Sequence, residues 1–322
     1  MNTLHRFWPG LLGILALGVA VVGAFRLAGQ FPGEARPRAE AWVDFHSPGP
    51  RSAADRATDS DGGVLRVAIA PVVSPEYSYS IYEDFVEVLA RRLGRSPVRL
   101  QGKSYDEVNN MLRFRRCDLA LICNFALIRG EQEFGLEPIA VPVVSDSLEY
   151  FSLVLVQGSS PARSLRDLQG KRFASADLLS ASGWLYPMVQ IRRQGFDPNT
   201  FFSGHVITGS HDRSLHAVVS GYVEGAAVDS LAYDAMVEED PDVASKTRII
   251  ERSPGFGTPP IVAHPHIDPE LKREIQTALF AMHEDEEGAR ALAKARIDRF
   301  VAPEDGFYDS VRELVAEFDS KK

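Results

Sequence analysis

The sequence predicts an α/β protein of two lobes, and three observations carry that prediction. From Val64 onward, short apolar runs alternate with stretches of helical periodicity, as in a parallel sheet built by right-handed crossovers. A long apolar strand, Glu149 to Gln157, interrupts this alternation, which then restarts. A second passage, Ile249 to Pro260, returns the chain, so both passages read as crossings between lobes. Lobe I is assigned to residues 64–150 plus 251–322, and lobe II to residues 151–250.

The totals agree. The chain has 322 residues, enough for about two domains, and 45% of them are hydrophobic, enough for a sizeable core. A formal net charge of -9 excludes broad nucleic-acid binding, which needs a basic face. A small anion remains compatible with it, because a local field can oppose the global charge. Cys117 and Cys123 are the only cysteines, so there is neither a disulfide framework nor a cysteine-based zinc motif. If Asp118 to Ile122 is a strand, their sulfurs lie about 20 Å apart and cannot bond.

The uncharged run from Phe7 to Phe25 is just long enough to cross a bilayer and directs export. Residues 1–26 are read as a membrane anchor, with a signal peptide cleaved after Val22-Gly23-Ala24 as the alternative. Gln30 stands where a lipoprotein box would need its acylated cysteine, which excludes lipidation there. Residues 27–63 lack periodicity and are rich in Ala, Arg, Pro, Ser, Asp and Gly, a tether that cannot offset its ordering entropy by burial.

Taken in order, Val64 to Ala70 is a buried strand, followed by a loop through Ser74 and Tyr77 and a helix from Tyr82 to Leu93. Val98 to Leu100 is a second strand. Ser104 and Glu107 form a capping box that opens a helix burying Tyr105, Val108 and Leu112. Asp118 to Ile122 is a third strand, ending at Cys123-Asn124. In lobe II the strands are Arg172 to Ser175, Val206 to Thr208 and Ala226 to Val228, with Asp229 ready to cap the next helix. Strand Ile261 to Ala263 leads to Asp268-Pro269, an N-cap followed by N1.

Ligands in such sheets gather beyond the carboxyl ends of the strands. That rule selects the Ser74–Tyr82 loop and the Cys123-Asn124 corner in lobe I. In lobe II it selects the turn after Ser175, which delivers Ser180 and Ser182 to the start of a helix carrying Trp184, Met188 and Ile191. Free N–H groups and two hydroxyls at the positive end of a helix suit an oxyanion. Each residue also has a plain role open to it, with Ser180 as an N-cap, Cys123 as a small buried residue, Asn124 as a turn former and Tyr82 as a core aromatic. Ser182 or Ser180 with His211 and Asp229 could also form a hydrolase triad, although no Gly-x-Ser-x-Gly elbow is present.

Four passages, "CDLALICNFALIRGE", "SLRDLQGKRFASADLLSASGWLYPMVQI", "GSHDRSLHAVVSGYVEGAAVDSLAYD" and "SPGFGTPPIVAHPHIDPELKREI", resemble the phosphonate-binding family of periplasmic solute receptors in sequence and order. The resemblance spans nearly all of Val64 to Lys322. It implies a two-lobe periplasmic binding protein fold of type II, each lobe a mainly parallel sheet flanked by helices. It also implies a binding protein rather than an enzyme, with no cofactor or metal, that captures a phosphonate, phosphate or phosphite for an ABC transporter. The family's Ser-Thr-Ser-Gly turn falls on Ser180, Ala181, Ser182 and Gly183, and its assisting His and acid fall on His211 and Asp229. Tyr82, Cys123 and Asn124 would serve from the other lobe. Ala181 replaces the family's Thr and removes one hydroxyl. Cys123 is similar to the pocket cysteine of a related arsenite-sensing branch, which makes a membrane sensor kinase the alternative partner to a permease. The implied location is periplasmic.

Overall fold

Apolar runs bounded by turn residues become the strands of two sheets. The computed structural model describes residues 63–320, so the expectations for residues 1–26 and for the tether up to residue 62 lie outside the described residues. The first sheet has six strands in the order β13-β4-β12-β3-β1-β2. They are β1 (Val64–Ile69), β2 (Ser96–Gln101), β3 (Leu119–Leu121), β4 (Glu137–Val143), β12 (Ile261–Ala263) and β13 (Arg299–Val301). The second sheet has five strands, ordered β10-β6-β9-β7-β8. They are β6 (Ser152–Gln157), β7 (Arg172–Ser175), β8 (Gly204–Ile207), β9 (Gly225–Asp229) and β10 (Thr247–Arg252).

Both sheets are mixed rather than mainly parallel. β1 runs parallel to β2 and β3, and β7 runs parallel to β8 and β9, as helical crossovers require. β12 and β6 are antiparallel to their neighbours. Both follow a passage between the lobes, so no βαβ unit sets their direction. The single strand expected from Glu149 to Gln157 breaks at Phe151. Its first piece, β5 (Glu149–Tyr150), pairs with β11 (Phe256–Gly257) instead of joining the sheet. The two crossings thus form a short antiparallel ribbon, with Tyr150 set edge-on to Phe256 at 5.8 Å between ring centroids.

The first helix, α1 (Pro75–Arg92), begins well before the expected Tyr82. Pro75 occupies the first turn, where its fixed φ is suited and its missing N–H costs nothing. The expected ligand loop is therefore two turns of helix. The helix α2 (Tyr105–Arg113) carries the expected cap, with Ser104 Oγ accepting from the Glu107 N–H at 3.2 Å. The Glu107 carboxylate accepts from Lys103 N rather than from Ser104 N. The helix α3 (Asn124–Phe134) ends at Gly135, whose φ of 74° suits a residue without Cβ. In the second lobe, α4 (Tyr186–Arg193), α5 (Pro198–Phe201), α6 (His211–Val219), α7 (Ser230–Glu239) and α8 (Asp242–Lys246) flank the sheet. The chain closes with α9 (Pro269–Phe280), α10 (Glu286–Lys294) and α11 (Asp309–Asp319).

The lobes share a core. Phe125 and Leu127 of α3 cluster with Leu185 and Val189 of the second lobe, and with Val311 and Val315 of α11. Backbone donors are also satisfied across the junction. Ser74 N donates to Asp212 Oδ1 at 3.0 Å, Tyr105 N to Asp177 Oδ2 at 3.1 Å, and His211 N to the Val72 carbonyl at 2.9 Å. Two aspartates of the second lobe therefore serve the N-terminal ends of two helices in the first. Asp212→Ala should lower stability by about 1 kcal/mol, the usual worth of a helix cap, and denaturant unfolding measures it. An unchanged midpoint would show that water replaces the carboxylate.

Candidate functional site

β7 runs into a tight turn that ends at Ser180, and the chain then winds through a π-helical turn, Ala181–Leu185, into α4. Such wide turns recur where a helix is shaped for a ligand. The Ser180 carbonyl accepts from both Trp184 N and Leu185 N, at 3.1 and 2.9 Å. Its hydroxyl accepts from Gly183 N at 2.9 Å, so Ser180 does act as a cap. Gly183 is needed for closeness: a Cβ there would stand 3.0 Å from both the His211 ring and Ser180 Oγ. Ser182 is fully buried, and its carbonyl accepts from Ser152 Oγ at 2.6 Å. Its own hydroxyl has no partner.

His211 opens α6 and is 1% exposed. Its Nδ1 accepts from the backbone N–H of Asp229 at 3.1 Å, and its Nε2 lies 3.4 Å from Ser180 Oγ. Burial lowers its pKa to about 4, so the ring is neutral at pH 7. A neutral ring that accepts at Nδ1 carries its proton on Nε2, which is therefore a donor. This is the reverse of a catalytic triad, in which Nδ1 donates to a carboxylate and Nε2 takes the serine proton. The Asp229 carboxylate is engaged elsewhere, where Oδ1 accepts from Leu231 N at 2.7 Å and Ala232 N at 3.3 Å and caps α7. Burial raises its pKa to about 7, against the lowering effect of those two bonds.

From the first lobe, Cys123 Sγ accepts from Ala181 N at 3.4 Å, joining two of the expected residues across the junction. Burial pushes its thiol up to about 11, so it is S–H and not thiolate at neutral pH. Asn124 is fully buried at the start of α3, where Nδ2 donates to the Gly257 carbonyl at 2.6 Å and Oδ1 is unpartnered. Tyr82 does not join this group. It lies half-buried in α1 and lines a neighbouring cavity together with Asp229. Burial and then the Asp229 charge push its hydroxyl up to about 12.

Two residues escaped the sequence reading. Tyr105 and Tyr150 are fully buried, and neither hydroxyl makes a well-formed hydrogen bond, Tyr105 lying near Ser180 and Tyr150 near Cys123. Both are held well above the usual phenol range by burial first and by Cys123 second, with Asp229 also contributing. They belong to the same patch. Tyr105, Tyr150 and Ser182 each keep a buried hydroxyl without a hydrogen-bond partner, while the Nε2–H of His211 faces Ser180 Oγ. Leaving each hydroxyl unpaired costs about 1–3 kcal/mol. Such a set suits the oxygens of a small oxyanion. Among the described residues, no group of three or more His, Cys, Asp or Glu is placed to hold a metal ion.

Residues 67–308 match the family model described as ABC transporter, phosphonate, periplasmic substrate-binding protein. The chain belongs to this family. It is 24% identical over 196 residues to the phosphonates-binding periplasmic protein of Escherichia coli, a match covering 59% of this chain and 58% of that one. The match thus spans less than two thirds of that relative. A binding protein component of an ABC phosphonate transporter from Pseudomonas aeruginosa superimposes with a TM-score of 0.74 at 23% identity, covering 79% of this chain and 86% of its own. A Prochlorococcus marinus protein solved in complex with methylphosphonate gives 0.71 at 17% identity, covering 80% and 99%. These likenesses show the family's two-lobe periplasmic binding protein fold.

The raised pKa of Asp229 has a definite sign for stability. Between about pH 4 and 7 the folded state holds a proton that the unfolded state has lost, so this residue's contribution falls as pH rises. Asn keeps the cap without the charge. Asp229→Asn should therefore match the parent near pH 4 and exceed it by on the order of a few kcal/mol at pH 8, measured by thermal unfolding. A pH-independent difference would refute the buried-proton assignment.

Proposed function

We propose that this protein is the extracytoplasmic receptor of an ABC transporter and closes its two lobes over a small oxyanion of the phosphonate, phosphate or phosphite class. The observation that carries this reading is the set of buried, unpartnered hydroxyls of Tyr105, Tyr150 and Ser182 at the lobe junction. Family membership supports it from sequence. In the described arrangement the donors are closed off from water, so ligand entry requires the lobes to part. We place the hinge at the β5–β11 ribbon, where only two residue pairs join the crossing strands. Residues 64–150 with 251–322 would move against residues 151–250. The ligand is then held by differential contact, since donors from both lobes reach it only when the lobes are closed.

The chemistry favours a phosphoryl group over arsenite. Neutral O–H and N–H donors match hard anionic oxygens, whereas trivalent arsenic needs a thiolate that burial denies to Cys123. Hydrolysis is disfavoured by the proton on His211 Nε2. The implied membrane partner is a permease, and the run from Phe7 to Phe25 is assigned as the tether. Membrane fractionation of the full chain, before and after carbonate washing, tests that tether. Release into the soluble fraction would make the run a cleaved signal.

Calorimetric titration with methylphosphonate, phosphite and phosphate tests the main proposal. Ser182→Ala should weaken binding by about 1–3 kcal/mol, the worth of a hydrogen bond to a charged oxygen. Tyr105→Phe should weaken it similarly while leaving the ligand-free protein as stable as the parent or more so, because the lost hydroxyl had no partner. A Tyr105→Phe protein that binds normally but unfolds earlier would place the hydroxyl in the fold and not in the site.

A further inference from the structure

The serine turn leaves one main-chain acceptor without its regular donor. Carbonyls along the π-helical turn accept from the N–H five residues on: Ser180 O from Leu185 N at 2.9 Å, and Ala181 O from Tyr186 N. In that register the Ser182 carbonyl would take the N–H of residue 187, which is a proline and has none. Pro187 suits the first turn of α4, but it ends the main-chain pairing of the turn before it. A buried carbonyl needs a partner. Here the partner is Ser152 Oγ, which donates to it at 2.6 Å.

Ser152 is fully buried at the start of β6, directly after the break at Phe151, and pairs with Asp229 across the β6–β9 ladder. It is fixed in turn by the second crossing. Ser152 N donates to Ser253 Oγ at 2.8 Å, Ser253 N donates to the Ser152 carbonyl at 3.0 Å, and Ser253 Oγ donates to the Pro254 carbonyl at 2.7 Å. The serine turn is thereby tied to both strands that run between the lobes. The peptide that follows Ser182 is also gripped at both ends. Its C=O accepts from Ser152 Oγ, and its N–H, that of Gly183, donates to Ser180 Oγ at 2.9 Å. A peptide unit is planar, so two bonds on its opposite sides fix its rotation and, with it, the Cα that carries the Ser182 hydroxyl.

We propose that Ser152 is a positioning residue of the anion site: its hydroxyl replaces the donor that Pro187 lacks and holds the Ser182 peptide in the orientation that aims the Ser182 hydroxyl at the ligand. The proposal rests on the oxyanion reading above and adds to it a residue that does not touch the ligand. A serine has one O–H to give, and that of Ser152 is spent on the Ser182 carbonyl. Without this bond the peptide is held through Gly183 N alone, and the Ser182 side chain turns with it.

A double-mutant cycle on the full chain tests the proposal, with affinity for methylphosphonate and phosphate read by calorimetry. Ser152→Ala should weaken binding about tenfold, as expected when one hydrogen bond to a charged oxygen is misplaced. Pro187→Ala returns a main-chain N–H to residue 187, so in that background Ser152→Ala should cost about twofold or less. A serine that only satisfied the carbonyl would alter the melting temperature and leave the affinity of the folded protein unchanged. Amide exchange gives a readout without ligand: Gly183 N–H should lose protection in Ser152→Ala and regain it in the double variant. Where Ser152→Ala does not fold, the double variant should restore the folded state, and a double variant that stays unfolded overturns the proposal. An equal cost in both backgrounds, parent-like affinity in Ser152→Ala or unchanged protection of Gly183 likewise overturns it and leaves the oxyanion reading standing. A parent chain that binds neither anion overturns the oxyanion reading, and the positioning role falls with it.

Discussion

The imidazole of His211 is the contact on which the junction depends. One nitrogen accepts from the N–H of Asp229 at the end of β9, and the other faces Ser180 at the head of the π-helical turn. The backbone N–H of the same residue is bonded to Val72 in the opposite lobe. Gly183 approaches the ring so closely that a methyl group in its place would touch the imidazole. Three chain segments from two lobes are thereby set around one planar, neutral ring. Because the ring is buried and neutral, it orients its neighbours without adding a charge that the interior would have to compensate.

Asp229 beside the imidazole is the exception, for it gains charge as pH rises past about 7. The protein carries a formal net charge of -9. In the proposed reading, attraction for an anion comes from oriented dipoles. The N-terminal end of α3 at Asn124 and that of α6 at His211 both meet the cluster, and each presents the positive pole of a helix. Hydroxyl groups from Tyr105, Tyr150 and Ser182 add further buried donors. On that reading an anion is held by geometry more than by net charge, so donor positions decide which anion fits.

Much of the site was legible before any coordinates. The Ser180 and Asp229 caps follow from N-cap preference, and placing ligands beyond strand ends selects the Cys123-Asn124 corner and the serine turn as separate candidates. Tyr82 was chosen by the same rule and lies in the adjacent cavity, because Pro75 starts α1 early and turns the expected loop into helix. Asn124 reaches the corner, but its amide is occupied by the Gly257 carbonyl. The sequence places Tyr105 on the buried face of its helix and Tyr150 in the crossing strand, and both rings are in the core. What sequence periodicity does not carry is whether a buried hydroxyl has a partner, since partners come from distant segments.

Local physics in the sequence determined the helix caps, the strand cores and the alternation that divides the chain into two α/β lobes. These depend on neighbours within a few residues, and their rules are short-ranged. Tertiary structure alone decided the mixed direction of both sheets, the break of the crossing strand at Phe151, and the state of each titratable group. Strand direction after a crossing depends on the route of the chain through space, and a pKa depends on burial by residues remote in sequence. The capture of Ala181 N by a cysteine of the other lobe belongs to the same class: the sequence contains both residues, and only the closed fold brings them together.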